Sequence, residues 1–277
     1  MHGIKSLFAA ALVAGTIALG ATFASAGERF IVLASTTSTD NSGLFKHILP
    51  MFTAITGIEV RVIARGTGQA LQIGRDGDAD VLLVHDTTAE LAFVDEGYGV
   101  KHRRVMYNDF IIVGPENDPA GIRGVKSVVD GMARIARTGN FFVSRGDDSG
   151  THKKELAIWH MAGIDAAKSS GQWYREAGAG MGATLNTASA MPAYALSDRG
   201  TWLKFENRGG LRLLAENDPL FVNPYGVILI NPARHPYVKA KLGQAFIDWI
   251  TGAEGQAAIA AYRIKGSQAF FPNAWKK

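Results

Sequence analysis

The fold is decided by residues 30–43, which read FIVLASTTSTDNSG. The first five residues, Phe30–Ala34, form a short apolar run that is typical of a buried β-strand. A cluster of small polar side chains, Ser35–Asp40, follows directly, and apolar residues then recur at helical spacing over Leu44–Phe52. This stretch therefore predicts a strand that ends in a polar turn and opens a helix.

The same order of elements recurs along the chain. Ile58–Ala64 alternates as a strand, Arg65–Gly68 is the following turn, and Val81–Val84 is another buried strand. Phe141–Ser144 is a strand that leads into Arg145–His152 and then a helix through about Met161. Further strands are predicted at 110–113 and 222–231, a helix passing into a strand at 186–198, and helices at 69–75, 237–250 and 253–262. Repeated strand–turn–helix units predict an α/β fold with a parallel sheet.

Three turns in this pattern are rich in glycine and hydroxyl side chains and open a helix: Ser35–Asp40, Arg65–Gly68 and Arg145–His152. A helix N-terminus exposes unpaired N–H groups and the positive end of the helix dipole, so it favours an anion. Ligands of open α/β sheets lie beyond the carboxyl ends of the strands. We therefore expect the three turns to converge on one bound anion.

Taken singly, each turn is also explained by N-capping, because Ser, Thr and Asp are favoured caps. Two turns carry an arginine, whose planar guanidinium makes paired hydrogen bonds to an oxyanion. Arg145 leads into Ser149–Thr151 and is the stronger candidate, whereas Arg65 fits an exposed flank equally well. Asp147 and Asp148 are either caps or an acid–base pair.

Composition excludes several classes of function. Cysteine is absent, which rules out a disulfide scaffold, a thiolate metal site and a cysteine nucleophile. The formal net charge is +4 without a basic block, so a small anion is a better partner than a nucleic acid. The histidines have no metal-ligand spacing, so neither a metal cation nor a cofactor is expected. No base is paired with a nucleophile at recognisable spacing, which leaves an exported phosphatase-like hydrolase as the weaker alternative.

The N-terminus has the features of an export signal. Lys5 supplies a positive start, residues 7–20 are apolar, and Ala24–Ala26 is a small-residue cleavage site. The alternative is a membrane anchor, for which the apolar run is short. We expect a signal peptide at 1–26, a mature chain from Gly27 and a periplasmic location.

Several segments resemble the signatures of one family, the tungstate-binding components of ABC transporters. They are STTSTDNSG at 35–43, SRGDDSGTHKKE at 144–155, MGATL at 181–185 and AYALSDRGT at 193–201. The resemblance covers essentially all of the chain after the signal peptide, and the second segment is long enough to be specific. Ser35 stands where the family usually has threonine, which keeps the hydroxyl group.

The resemblance implies an α/β, class II periplasmic-binding-protein fold, in which two α/β lobes are joined by a two-crossover hinge. It places one lobe at 27–114 plus 222–277 and the other at 115–221. The crossovers are expected near Tyr107–Pro115 and Phe221–Asn231. It also implies oxyanion-binding residues in both lobes: Thr36, Thr37, Ser38, Thr67, Gly68, Arg145, Ser149, Gly150 and Thr151. Thr184, Tyr194 and Ser197 are weaker candidates, because their segments also fit packing at the hinge side of the cleft.

The implied function is capture of tungstate for an inner-membrane permease by a monomeric, non-enzymatic receptor. Molybdate has the same charge and nearly the same shape, so it stays an alternative ligand. Phosphate carries a proton at neutral pH, and a carboxylate such as Asp147 or Asp148 would accept it. Phosphate is therefore the alternative that these two residues keep open.

Overall fold

The structure is a computed structural model that describes residues 29–275. The predicted signal peptide, residues 1–26, lies outside this range. Within it, no helix is long and apolar enough to cross a membrane.

Ten helices and twelve strands are assigned within residues 29–275. The helices are α1 (Thr37–Ser42), α2 (Leu44–Thr56), α3 (Thr67–Asp76), α4 (Thr87–Asp95), α5 (Val128–Thr138), α6 (Gly150–Met161), α7 (Met181–Ala190), α8 (Arg199–Lys204), α9 (Ala240–Thr251) and α10 (Ala253–Ala261). The strands are β1 (Phe30–Thr36), β2 (Glu59–Arg65), β3 (Val81–Val84), β4 (Gly99–Pro115), β5 (Phe142–Ser144), β6 (Tyr174–Glu176), β7 (Ala195–Asp198), β8 (Leu211–Ala215), β9 (Val222–Ile230), β10 (Arg263–Ile264), β11 (Ser267–Gln268) and β12 (Phe271–Pro272).

The central sheet has the strand order β12-β4-β9-β3-β1-β2. Strands β7 and β8 pair with the C-terminal half of β4. Strand β1 runs parallel to both β2 and β3, as the sequence predicted. The parallel prediction is wrong for β9, which is antiparallel to β3 and β4. The reason is the path of the chain, because β4 leads out of one half of the molecule and β9 leads back beside it.

The buried apolar residues form four clusters, two in each half of the molecule, and each pair of clusters makes up the core of one half. The first core is built from segments between Ile31 and Met106 and between Tyr225 and Phe270. The second core lies wholly between Phe110 and Phe221. The chain thus forms two α/β lobes joined by β4 and β9. The lobe boundaries predicted at 114/115 and 221/222 stay a prediction, and the second core begins at Phe110, before the first of them.

Two asparagines face each other where the chain crosses between the cores. Asn108 on β4 is paired in register with Asn223 on β9, and both are almost fully buried. The Asn223 side-chain amide donates to Asn108 Oδ1 at 2.7 Å, and Asn108 Nδ2 donates to the Tyr225 hydroxyl at 3.2 Å. Beside them, Arg199 Nε donates to Asp109 Oδ1 at 2.8 Å. A hydrogen-bonded amide pair therefore joins the two crossover strands.

Candidate functional site

A cavity of about 510 Å³ lies where three helix-opening turns meet. Two turns belong to the first core's side of the molecule and the third to the other side. Of the twelve candidate binding residues, all but the three weaker ones line it: Thr36, Thr37, Ser38, Thr67, Gly68, Arg145, Ser149, Gly150 and Thr151. The convergence expected from the strand–turn–helix pattern is therefore present in the structure. That these residues bind a ligand stays a prediction.

The first turn lies between β1 and α1. Thr36 is the N-cap of α1, and its hydroxyl accepts from the Thr39 backbone N–H at 3.4 Å. Thr36 Oγ1 also lies 2.7 Å from Thr39 Oγ1 and 3.2 Å from Ser38 Oγ. The capping alternative is thus correct for Thr36, while Thr37 and Ser38 keep hydroxyls at the cavity wall.

The second turn opens α3 without a side-chain cap. Its N-cap residue is Gly66, which has no side chain to accept the first N–H groups of the helix. Thr67 is buried, and its Oγ1 has no hydrogen-bond partner among the described residues. This turn therefore presents uncapped donors to the cavity, as an anion requires.

The third turn connects β5 to α6 and carries the arginine. Ser149 caps α6, because its hydroxyl accepts from the His152 N–H at 3.3 Å. Arg145 Nη2 is ion-paired with Asp147 Oδ2, and Asp147 Oδ1 accepts from the Ser149 N–H at 3.2 Å. Partial burial opposes ionisation of Asp147, but the bonds from Ser149 and the charge of Arg145 lower its pKa overall. Asp147 is thus an ionised carboxylate with both oxygens occupied.

His85 lines the same cavity and was missed by the sequence analysis, which considered it only as a metal ligand. Its Nε2 lies 3.5 Å from Ser38 Oγ, and its ring packs 4.8 Å from that of Tyr225. Burial lowers the pKa of His85 to about 4, so the imidazole is neutral at neutral pH. Its position directly after Val84, at the end of β3, was the signal available in the sequence.

The remaining candidates do not reach the cavity. Thr184 is fully buried, and its hydroxyl donates to the carbonyls of Ala179 and Gly180 at 3.3 and 3.2 Å. The Tyr194 hydroxyl donates to Asp118 at 2.8 Å, and the Ser197 hydroxyl donates to its neighbour Asp198. The structure therefore does not bring Thr184, Tyr194 or Ser197 to the anion position, because each hydroxyl is used in local packing.

Partnerless polar atoms are concentrated in this wall. Of the eight buried side-chain polar atoms without a hydrogen-bond partner in residues 29–275, three belong to it: Thr67 Oγ1, His85 Nδ1 and Arg145 Nε. Buried polar groups are nearly always hydrogen-bonded, so such a cluster indicates a missing acceptor. In the same part of the chain, no group of three or more His, Cys, Asp or Glu side chains is placed to hold a metal cation. The cavity therefore suits a small anion.

A two-lobed α/β protein with a donor-lined cavity between its lobes has the architecture of a solute-binding protein. In agreement, the family model described as PBP superfamily domain matches residues 21–254. The chain is 49% identical over 249 residues to a putative ABC transporter anion-binding protein of Haloferax volcanii, covering 88% of this chain and 72% of that protein.

The tungstate-binding protein TupA of Peptoclostridium acidaminophilum is 47% identical over 250 residues, covering 89% of this chain and 86% of that protein. The solved structure of the tungstate-binding protein TupA from Desulfovibrio alaskensis superposes with a TM-score of 0.81 at 42% identity, covering 89% of this chain and 99% of that one. The chain therefore belongs to the TupA family of the PBP superfamily, and the predicted class II fold is confirmed.

Proposed function

We propose that this protein is the periplasmic receptor that captures tungstate for an ABC transporter. The observation that carries the proposal is the set of partnerless atoms in the cavity wall, Thr67 Oγ1, His85 Nδ1 and Arg145 Nε, beside the uncapped start of α3. Relatives in the TupA family are named for tungstate binding. The family is one of solute-binding proteins, so the chain is a transport component rather than an enzyme.

The geometry explains how a dianion is held without water. Removing a charged ligand from water costs several kcal/mol or more unless many donors replace its hydration shell. Hydroxyl and backbone donors come from the turns before α1 and α3, and Arg145 brings a positive charge from the other lobe. Because both lobes contribute, the anion stabilises their approach about the Asn108–Asn223 crossing.

The occupied carboxylate of Asp147 favours an anion that carries no proton. Hydrogen phosphate gains from an acceptor in its site, and each oxygen of Asp147 already accepts one bond, from Arg145 or from the Ser149 N–H. Asp148 also lines the cavity, but it is exposed to solvent. Tungstate, and molybdate as the alternative ligand, need donors alone, so they fit this wall better than phosphate.

The export signal expected at 1–26 would place the receptor in the periplasm, where it delivers the anion to an inner-membrane permease as a monomer. The receptor and its ligand are tested by isothermal titration of the ligand-free mature protein with tungstate, molybdate, sulfate and phosphate. Tight one-to-one binding of tungstate, with much weaker phosphate binding, is the expected result. Binding of phosphate alone would reassign the ligand, and no binding of any of the four would overturn the receptor assignment.

A further inference from the structure

His85 lies next to the start of α6, which belongs to the other half of the cavity. A Cβ atom built on Gly150, at the start of α6, would lie 2.9 Å from His85 Cε1 and 3.3 Å from His85 Nδ1. The same Cβ would lie 3.8 Å from Thr67 Oγ1. Nδ1 and the Thr67 hydroxyl therefore lie beside the same spot, next to the first residue of α6.

Neither of these two atoms has a hydrogen-bond partner in the described part of the chain, and both are buried. A buried polar atom without a partner costs the folded state its lost bond to water. Two such atoms from different turns, beside one spot in the cavity wall, indicate a ligand that bonds both. An oxyanion accepts hydrogen bonds and donates none, so each atom must present a proton to it.

Donation from Nδ1 requires the ring proton on that nitrogen. A neutral imidazole has one N–H donor and one acceptor nitrogen. Nε2 lies 3.5 Å from the Ser38 hydroxyl, and Ser38 Oγ is itself 3.2 Å from Thr36 Oγ1. In the tautomer that donates from Nδ1, the Ser38 hydroxyl donates to Nε2.

We propose that His85 is a further anion-binding residue, whose Nδ1–H donates to an oxygen of the bound tungstate beside the Thr67 hydroxyl. This inference rests on the function proposed above. It adds a selective element, because an Nδ1–H group cannot accept a hydrogen bond from hydrogen phosphate. Burial is the main cause of the lowered pKa of the ring, and the nearby Arg145 charge acts in the same direction, while the Asn223 side chain and the charge of Asp86 act in the opposite direction.

Two substitutions separate the two ring nitrogens. In His85→Asn the amide nitrogen takes a place close to Nδ1, and in His85→Gln it takes a place close to Nε2. Loss of a hydrogen bond to a charged acceptor weakens binding by about ten- to a hundredfold. We expect His85→Gln to show this loss and His85→Asn a loss of only about threefold. His160→Gln, at an exposed histidine at the far end of α6, is the matched control and should bind as the wild type.

The affinities are measured by isothermal titration with each of the four oxyanions, together with the melting temperature of each ligand-free variant. Nitrogen-15 NMR of the wild type should show a protonated Nδ1 whose proton moves downfield on saturation with anion. Equal losses in the Asn and Gln variants, wild-type affinity in His85→Gln, or a protonated Nε2 in the bound state would each overturn the assignment. If the wild type binds another oxyanion in place of tungstate, the assignment of tungstate as the ligand is wrong. The difference in affinity between His85→Asn and His85→Gln, measured with that other anion, still decides the role of His85.

Discussion

Arg145 and Asp147 form an ion pair in the wall of the cavity, so the positive charge of the site is partly neutralised before any ligand arrives. The pair is held by the loop itself, because Asp147 also accepts from the Ser149 N–H that leads into α6. A bound dianion must share the guanidinium with this carboxylate.

Replacing the carboxylate by its amide should strengthen binding. Asp147→Asn keeps an oxygen for the Ser149 N–H and removes one negative charge beside the anion. We expect tungstate affinity to rise by roughly tenfold, the size of effect that one unit charge has on a dianion about 6 Å away in a water-like medium. Titration calorimetry at low salt measures it, and an affinity that falls instead would show that the ion pair positions Arg145.

The guanidinium itself should be indispensable. Arg145→Ala removes the positive charge that the second lobe brings to the cavity and should weaken tungstate binding by about a hundredfold or more. Arg145→Lys keeps the charge without the planar pair of donors, so its tungstate affinity should lie between those of the wild type and Arg145→Ala. Arg65→Ala is the matched control. Arg65 lines the cavity, but it is exposed and its guanidinium donates to the carbonyl of Ala64. We therefore expect tungstate affinity to fall by about threefold or less in this variant. Near-wild-type affinity in Arg145→Ala would remove Arg145 from the site.

The close approach of Gly150 to His85 should make any side chain at 150 unfavourable. The added methyl of Gly150→Ala would lie 2.9 Å from His85 Cε1, and the ring packed against Tyr225 has little room to retreat. We expect tungstate binding to weaken by about tenfold, because the lobes are held further apart. Gly210→Ala, where nothing lies within 4 Å of the new methyl, is the control. Equal affinities in both variants would contradict the contact.

A buried carboxylate beneath the third turn should make stability depend on pH. Glu155 is 1% exposed and accepts from the Tyr174 hydroxyl at 2.7 Å and from Trp159 Nε1 at 3.2 Å. Burial raises the pKa of Glu155 to about 7, against the opposing effect of these bonds. Between these two pKa values, 4.5 in the unfolded chain and about 7 in the folded state, only the folded state keeps the proton on Glu155. The stabilisation from this protonation is complete below pH 4.5 and is lost as the pH rises through about 7.

Glu155→Gln should flatten this part of the pH profile. Between about pH 5 and pH 8, the wild type should lose up to about 3 kcal/mol more free energy of unfolding than the variant. Urea unfolding at several pH values measures the difference. Glu254→Gln, at an exposed position on α10, should leave the profile unchanged. Parallel profiles for the wild type and Glu155→Gln would show that Glu155 does not titrate in this range.

Patterns that depend on local chemistry were predicted well from the sequence. The β3 prediction matches its four buried residues, and the predicted end of α6 at Met161 is where the helix ends. The turns at Thr36, Thr67 and Ser149 were recognised because hydroxyl and glycine residues follow apolar strands. Convergence of the first two turns follows from the parallel pairing of β1 and β2, which the alternation of strands and helices already implied. The third turn follows β5, which lies in a separate sheet of the other lobe.

Features set by tertiary contacts were predicted less well. Only residues 110–113 of the 17-residue strand β4 were expected, because its first half is charged and partly exposed. The segment predicted as a helix from 186 contains only the C-terminal half of α7, which begins five residues earlier at Met181 in a glycine-rich stretch. His85 lines the cavity although the sequence analysis did not propose it, and Thr184 does not line it, because the position of a side chain depends on contacts with residues distant in sequence.

The outward path along β4 and the return along β9 have a consequence for inheritance. Every residue of the second core, together with Arg145, Ser149 and Thr151, is encoded by one uninterrupted stretch between Phe110 and Phe221. A single recombination event that exchanged this stretch between relatives would replace half of the anion's surroundings as a unit and leave the other half intact. The architecture therefore allows anion preference to evolve by cassette exchange as well as by point mutation.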